Sequence, residues 1–246
     1  MRLDPYQTDH TDNSKSACST GPIKFDRPEP EINTDSPTKD RLLLAACHIF
    51  SKNGYHEATI SEICQLAQAN IAAVNYHFRD KQTLYVQTIR HAFDITAKKY
   101  HPNGNLPDSA PPEDRLAARI NAIVRPSFDP GPAGYIKELF AWEMGYPTGL
   151  FGQFIKEGIE PLKKQFHKML RELLGPNATD DDVHFCAFSI ISQCHSPLLR
   201  MHVRKTLIKY QPSVAEVEAL IDHIVSFSLA GIASRRKLIE ERQIDN

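Results

Sequence analysis

This sequence lacks the usual marks of an enzyme. Across 246 residues there is no glycine-rich phosphate loop, nucleophile elbow or zinc-protease motif, and no metal-ligand spacing, so neither catalysis nor a bound cofactor is expected. The five cysteines, Cys18, Cys47, Cys64, Cys186 and Cys194, are an odd number without a CxxC pair, which argues against a disulfide frame and fits a reducing cytoplasm. No stretch alternates with the two-residue period of a strand, and no repeat recurs. The first thirty residues hold no apolar run of signal-peptide type, and no segment is expected to reach membrane-spanning length. A soluble cytoplasmic protein with no membrane partner follows as the expectation.

Net charge is also nearly absent, at -1, which argues against nucleic acid until it is divided along the chain. Residues 1–37 carry four Lys/Arg against seven Asp/Glu, residues 38–100 carry eight against five, and residues 101–246 carry seventeen against eighteen. The positive excess therefore sits in one short region. It is modest, so phosphate attraction there has to come from a few placed groups and helix N-termini.

Residues 1–37 hold five prolines among Ser, Thr, Asp and Asn, and too few apolar side chains to offset the entropy of ordering. They are expected to form a disordered tail. Ser36-Pro37 then starts a helix, a stripe of Leu42, Leu43, Ala46, Ile49 and Phe50 gives it one apolar face, and Gly54 ends it. A helix from about Thr83 to Tyr100 leaves this region, and the proline-rich run at 101–114 closes it. Every later periodic stretch is helical: Arg115–Val124, Tyr135–Met144, Leu150–Leu174, Asp181 to about Tyr210, and Val214 to about Glu241. Pro161 and Pro197 fall inside these patterns and are expected to kink or break them.

The informative stretch is Thr59 to Lys81, TISEICQLAQANIAAVNYHFRDK. Thr59 with Glu62 makes a capping box, and Ile60, Ile63, Cys64 and Ala67 supply a buried face. Asn70 caps a second short helix whose first turn is Ile71, Ala72 and Ala73, side chains short enough to let the backbone approach base edges. Asp80 caps a third helix with Lys81 in its first turn. Two short helices joined by a tight turn are the layout of a helix-turn-helix DNA reader.

The string AAVNYHFRDK resembles the TetR family of bacterial transcriptional regulators, and its CecR-like branch in particular; the likeness is specific over residues 38–100. It implies that Ile71, Ala72 and Ala73 read bases, that Tyr76 lies on the DNA, that Thr59, Asn75, His77 and Lys81 meet the phosphate backbone, and that Phe78 is core. Gln68 departs from the family, standing where a turn glycine is usual. Spacing alone leaves Tyr76 and His77 equally open to packing the third helix.

The expected architecture is all-α: a tail at 1–37, a three-helix helix-turn-helix DNA-binding domain at 38–84, and a helical effector-binding and dimerisation domain at 85–246. Phe185–Cys194 and Ile224–Ala233 are ten residues each without a charge. An all-round apolar helix must be covered all round, either inside the protomer or between subunits. Phe185, Phe188, Ile191, Ile224, Phe227 and Ile232 are the candidate interface of a homodimer, which the resemblance also implies, and two readers about a two-fold axis would recognise a near-palindromic operator in double-stranded DNA. The middle of the chain is rich in large side chains, of which Phe140, Trp142, Met144, Phe151, Phe154 and Phe166 are candidate contacts for the small apolar effector that the family generally binds. The same residues suit an ordinary core, which would leave a regulator controlled by a protein partner and without a pocket. A ligand-responsive repressor is the main expectation, because occluding a promoter needs no further contact surface. His167, His184, His195, His202 and His223 show no metal spacing.

Overall fold

The structure, a computed structural model, describes residues 27–208 and 212–242. The described residues form helices with no strand. In order these are α1 Thr38–Glu57, α2 Ile60–Ala67, α3 Ile71–Phe78, α4 Lys81–Lys99, α5 Pro112–Val124, α6 Tyr135–Gly145, α7 Gly152–Phe154, α8 Glu160–Leu174, α9 Asp180–Ile208 and α10 Val214–Glu241. Most of the predicted tail, residues 1–26, lies outside the described residues. Its last part is tied down: Arg27 donates to Glu138 at 2.6 Å and to the carbonyls of Asp129 and Gly131 at 2.7 and 2.9 Å.

Several starts and stops follow the local chemistry. Thr59 accepts from the Glu62 amide at 3.2 Å while Glu62 accepts from the Thr59 amide at 2.8 Å, closing the capping box. Asn70 accepts from Ala73 N–H at 2.8 Å and Asp80 from Thr83 N–H at 2.7 Å, so α3 and α4 start at the expected caps. Gly54, at φ 71° and ψ 177°, ends the regular part of α1. Two prolines behave differently from the expectation. Pro161 sits in the first turn of α8, where its missing N–H costs nothing, and the stretch expected as one helix over 150–174 is α7, a π-helical turn at Ile155–Ile159, and α8. The helix assignment of α9 runs past Pro197 to Ile208.

Two apolar cores result. The first joins α1 to α4, through Leu42, Phe50, Ile63, Val74, Phe78, Leu84 and Ile89, to Tyr135, Ile136 and Leu139 of α6. The second joins α5, α8, α9 and α10 through Leu116, Ile120, Leu170, Leu174, Ile190 and Ile221. Each fully buried Leu, Ile or Phe is worth about 1.5–3 kcal/mol, against about 1 kcal/mol for a good N-cap, so packing holds these short helices and caps set their register. The reader's core does not close at residue 84, because it extends along α4 through Ile89 and Ala92 and takes in α6. One expectation is overturned outright: by length and composition, Val214–Glu241 is long and apolar enough to cross a membrane. Val217, Ile221, Ile224, Ser228, Ile232 and Ile239 on it are buried within the protomer.

Candidate nucleic-acid interface and internal cavity

α3 buries Val74 and Phe78, four residues apart, and turns the opposite face outward. Ile71 is 55% and Tyr76 84% exposed; Ala72 and Asn75 are exposed, and Ala73 and His77 half-buried. A large aromatic left that bare, with only the neighbouring His77 ring at 4.9 Å, contributes little to folding. The turn before α3 is left-handed at Gln68, with φ 51° and ψ 50°, and Ala69 N–H returns to the Cys64 carbonyl at 2.9 Å. The family's glycine conformation is thus kept without its glycine, at the steric cost of a side chain in that region.

Thr59 is exposed at the start of α2. Lys81 is half-buried, donates to the His56 carbonyl at 3.3 Å and lies over the Tyr55 ring at 4.8 Å. Burial lowers its pKa, with Glu62 pulling the other way. Arg79 ends α3 at φ 69° and is exposed, a cation beside α3 that sequence reasoning did not single out.

Behind the reader lies a cavity of about 380 Å³ bounded by α4, α5, α6, α8 and α9, within the roughly 300–1,000 Å³ usual for small-molecule sites. Of the six predicted effector contacts it takes in Phe140 and Phe166. The others are placed elsewhere. Met144 is 73% exposed; Phe151 meets Phe140, and Phe154 meets Phe93, edge to face in an aromatic cluster belonging to the first core. Trp142 faces α1, where its indole N–H donates to the Ser51 carbonyl at 2.7 Å and its ring closes over Gly54. Helical periodicity separates apolar from polar faces but not a cavity wall from solid core. Sequence reasoning also missed the polar lining, which includes Arg119, Lys137 and His195.

α6 joins the two sites. Its cavity face carries Ile136, Lys137 and Phe140. Trp142 turns the other way, to α1, while Glu143, two turns on from Ile136, accepts from Tyr85 Oη of α4 at 2.7 Å in a buried contact. Displacing α6 at the cavity therefore moves groups bonded to α1 and α4.

The predicted dimer residues divide. Phe185, Phe188 and Phe227 are 62%, 66% and 61% exposed, and Phe185 and Phe227 flank a groove of about 440 Å³ between α9 and α10. Ile224 and Ile232 are instead buried within the protomer, because a helix over its own core has only one face to spare. Ile191, half-buried, lines the cavity, as does Phe188.

The family model for bacterial regulatory proteins of the TetR family matches residues 42–88, and that for the C-terminal domain of the HTH-type transcriptional dual regulator CecR matches residues 112–232. This chain belongs to the TetR family. Among curated TetR-family relatives, it is 34% identical over 56 residues to the HTH-type transcriptional repressor NicS of Pseudomonas putida, covering 23% of this chain and 26% of that protein. It is 29% identical over 100 residues to the HTH-type transcriptional regulator BetI of Escherichia coli, covering 41% and 49%. The chain thus spans between a quarter and a half of the length of these relatives. The fold resembles that of the fatty acid degradation regulator FadR from Bacillus halodurans, with TM-score 0.61 at 16% identity over 81% of this chain and 98% of that one. A transcriptional regulator from Rhodococcus sp. gives 0.59 at 16% identity, over 79% and 97%.

Proposed function

We propose that this TetR-family protein binds a near-palindromic operator as a homodimer and represses transcription until a small apolar effector fills the internal cavity. The observation that carries the reading is the outward face of α3, where Ile71, Ala72, Asn75 and Tyr76 stand exposed with no packing role. Ile71, Ala72 and Ala73 offer methyl groups, suited to thymine methyls rather than to bidentate reading of guanine. Asn75, Tyr76 and DNA shape then supply the remaining specificity. Thr59, His77, Lys81 and Arg79 serve the phosphates.

The exposed phenylalanines of α9 and α10 support a two-fold partner, since apolar rings on adjacent long helices need cover. Repression is supported by the relative NicS, a transcriptional repressor, whereas CecR is a dual regulator. The effector works only through its preference for one arrangement of α6 over another; a hundredfold preference corresponds to about 2.7 kcal/mol. A cavity of this size favours a small molecule over control by a protein partner alone.

The test is a gel shift with DNA from upstream of the protein's own gene, using wild type and Tyr76→Ala. Because Tyr76 is 84% exposed, the variant is expected to melt within about 0.5 kcal/mol of wild type and to lose most of its affinity. Unchanged DNA affinity in Tyr76→Ala would sink the assignment of this face.

A further inference from the structure

The cavity has a charge imbalance that an apolar effector alone does not explain. Lys137, 8% exposed, and Arg119, 6% exposed, both line it. Among the described residues no carboxylate pairs with Lys137, and none of the cavity-lining residues is acidic. Among the described residues Arg119 meets only neutral partners, Asn103 Oδ1 at 3.1 Å and Gln165 Oε1 at 3.5 Å, and its buried Nε has none. Lys163, His167 and His184, from α8 and α9, also line it. A buried cation without a counter-ion is costly, so such residues belong with a ligand that completes them.

We propose that the effector is an amphipathic monoanion, an apolar body ending in one carboxylate or similar acid, whose charge is answered by Lys137 and Arg119 while its body packs on Phe140, Phe166 and Ile191. This deepens the effector reading above and rests on it. Burial lowers the Lys137 pKa to about 8, so the ammonium is still mostly charged at neutral pH. His195 Nδ1 is 2.9 Å from the Ile191 carbonyl, to which it donates; burial first, and Lys137 second, depress its pKa to about 4. It therefore adds no charge there, which leaves lysine and arginine as the anchors. An uncharged molecule of the same shape would leave both cations uncompensated.

The experiment compares decanoate and 4-phenylbutyrate with their primary amides by calorimetry and by thermal shift, on wild type and Lys137→Met; decanesulfonate tests whether any monoanion serves. Acids are expected to bind wild type at least about tenfold more tightly than amides, the worth of roughly one charge-assisted contact. Lys137→Met should erase that preference by weakening the acids while leaving the amides unchanged or better. Without ligand, Lys137→Met should melt no lower than wild type, since it removes an unpaired buried charge; that readout separates loss of the anchor from loss of the fold. Equal binding of acids and amides to wild type, or a preference that survives Lys137→Met, overturns the proposal while leaving an effector cavity in place. If no compound binds, the effector reading itself fails and this inference with it.

Discussion

Gly54→Ala probes the joint through which cavity and reader are connected. Gly54 has φ 71° and ψ 177°, a region essentially confined to glycine, and holding alanine there costs about 1–3 kcal/mol. A Cβ at this position would also stand 2.9 Å from Trp142 Cε3. The indole cannot swing away without losing its 2.7 Å bond to the Ser51 carbonyl, so overpacking adds about 1–3 kcal/mol. The total is about 4 kcal/mol, or about 8–16 °C in Tm for a chain of this size. Urea and thermal unfolding of Gly54→Ala, Trp142→Leu and the double variant measure it. In the Trp142→Leu background only the backbone strain should remain, so the two changes should couple by about 1–3 kcal/mol. A Gly54→Ala midpoint within about 0.5 kcal/mol of wild type, or strictly additive penalties, would refute the packing argument and the proposed route from α6 to α1.

The opposite substitution applies at the left-handed turn: Gln68→Gly should stabilise the protein by about 1 kcal/mol, read as a higher urea midpoint. Asp182 is buried, and although burial pushes its pKa up, hydrogen bonds from Thr179, Arg235 and Arg242 hold it well below the usual carboxylate range. Its stabilisation is therefore complete above the unfolded pKa near 3.9 and disappears as pH falls below it. Asp182→Asn should cost about 1–3 kcal/mol at pH 7, the gap from wild type narrowing in acid melts below about pH 4. Lys81→Met, which keeps an apolar stem on Tyr55, should lower the salt slope of DNA binding by about 0.9 per subunit; fluorescence anisotropy across a salt series checks it.

The reader was legible because its signals are local. Thr59 with Glu62, Asn70 and Asp80 announce three helix starts within one stretch, and each cap needs only neighbours within three residues. The cavity was not legible because it is a property of five helices meeting. Phe140 and Phe151 meet in one aromatic cluster, yet only Phe140 also reaches the cavity. Lys137 reads as an ordinary solvated lysine until α6 is packed on both sides. The charge-free runs fall within α9 and α10, but Phe227 and Ile224, three residues apart, divide between outer surface and protomer core. Assigning them required the packed structure.

Two copies of α3, related by a two-fold axis, are proposed to read one duplex, and selection of bound sequences from a random duplex library, with the mass of the selected complex measured alongside, examines both halves of that arrangement at once. Two subunits on an enriched inverted repeat, with half-site centres about one helical turn or a multiple of it apart, is the predicted result; a single subunit on an asymmetric site, or no enrichment, would contradict it.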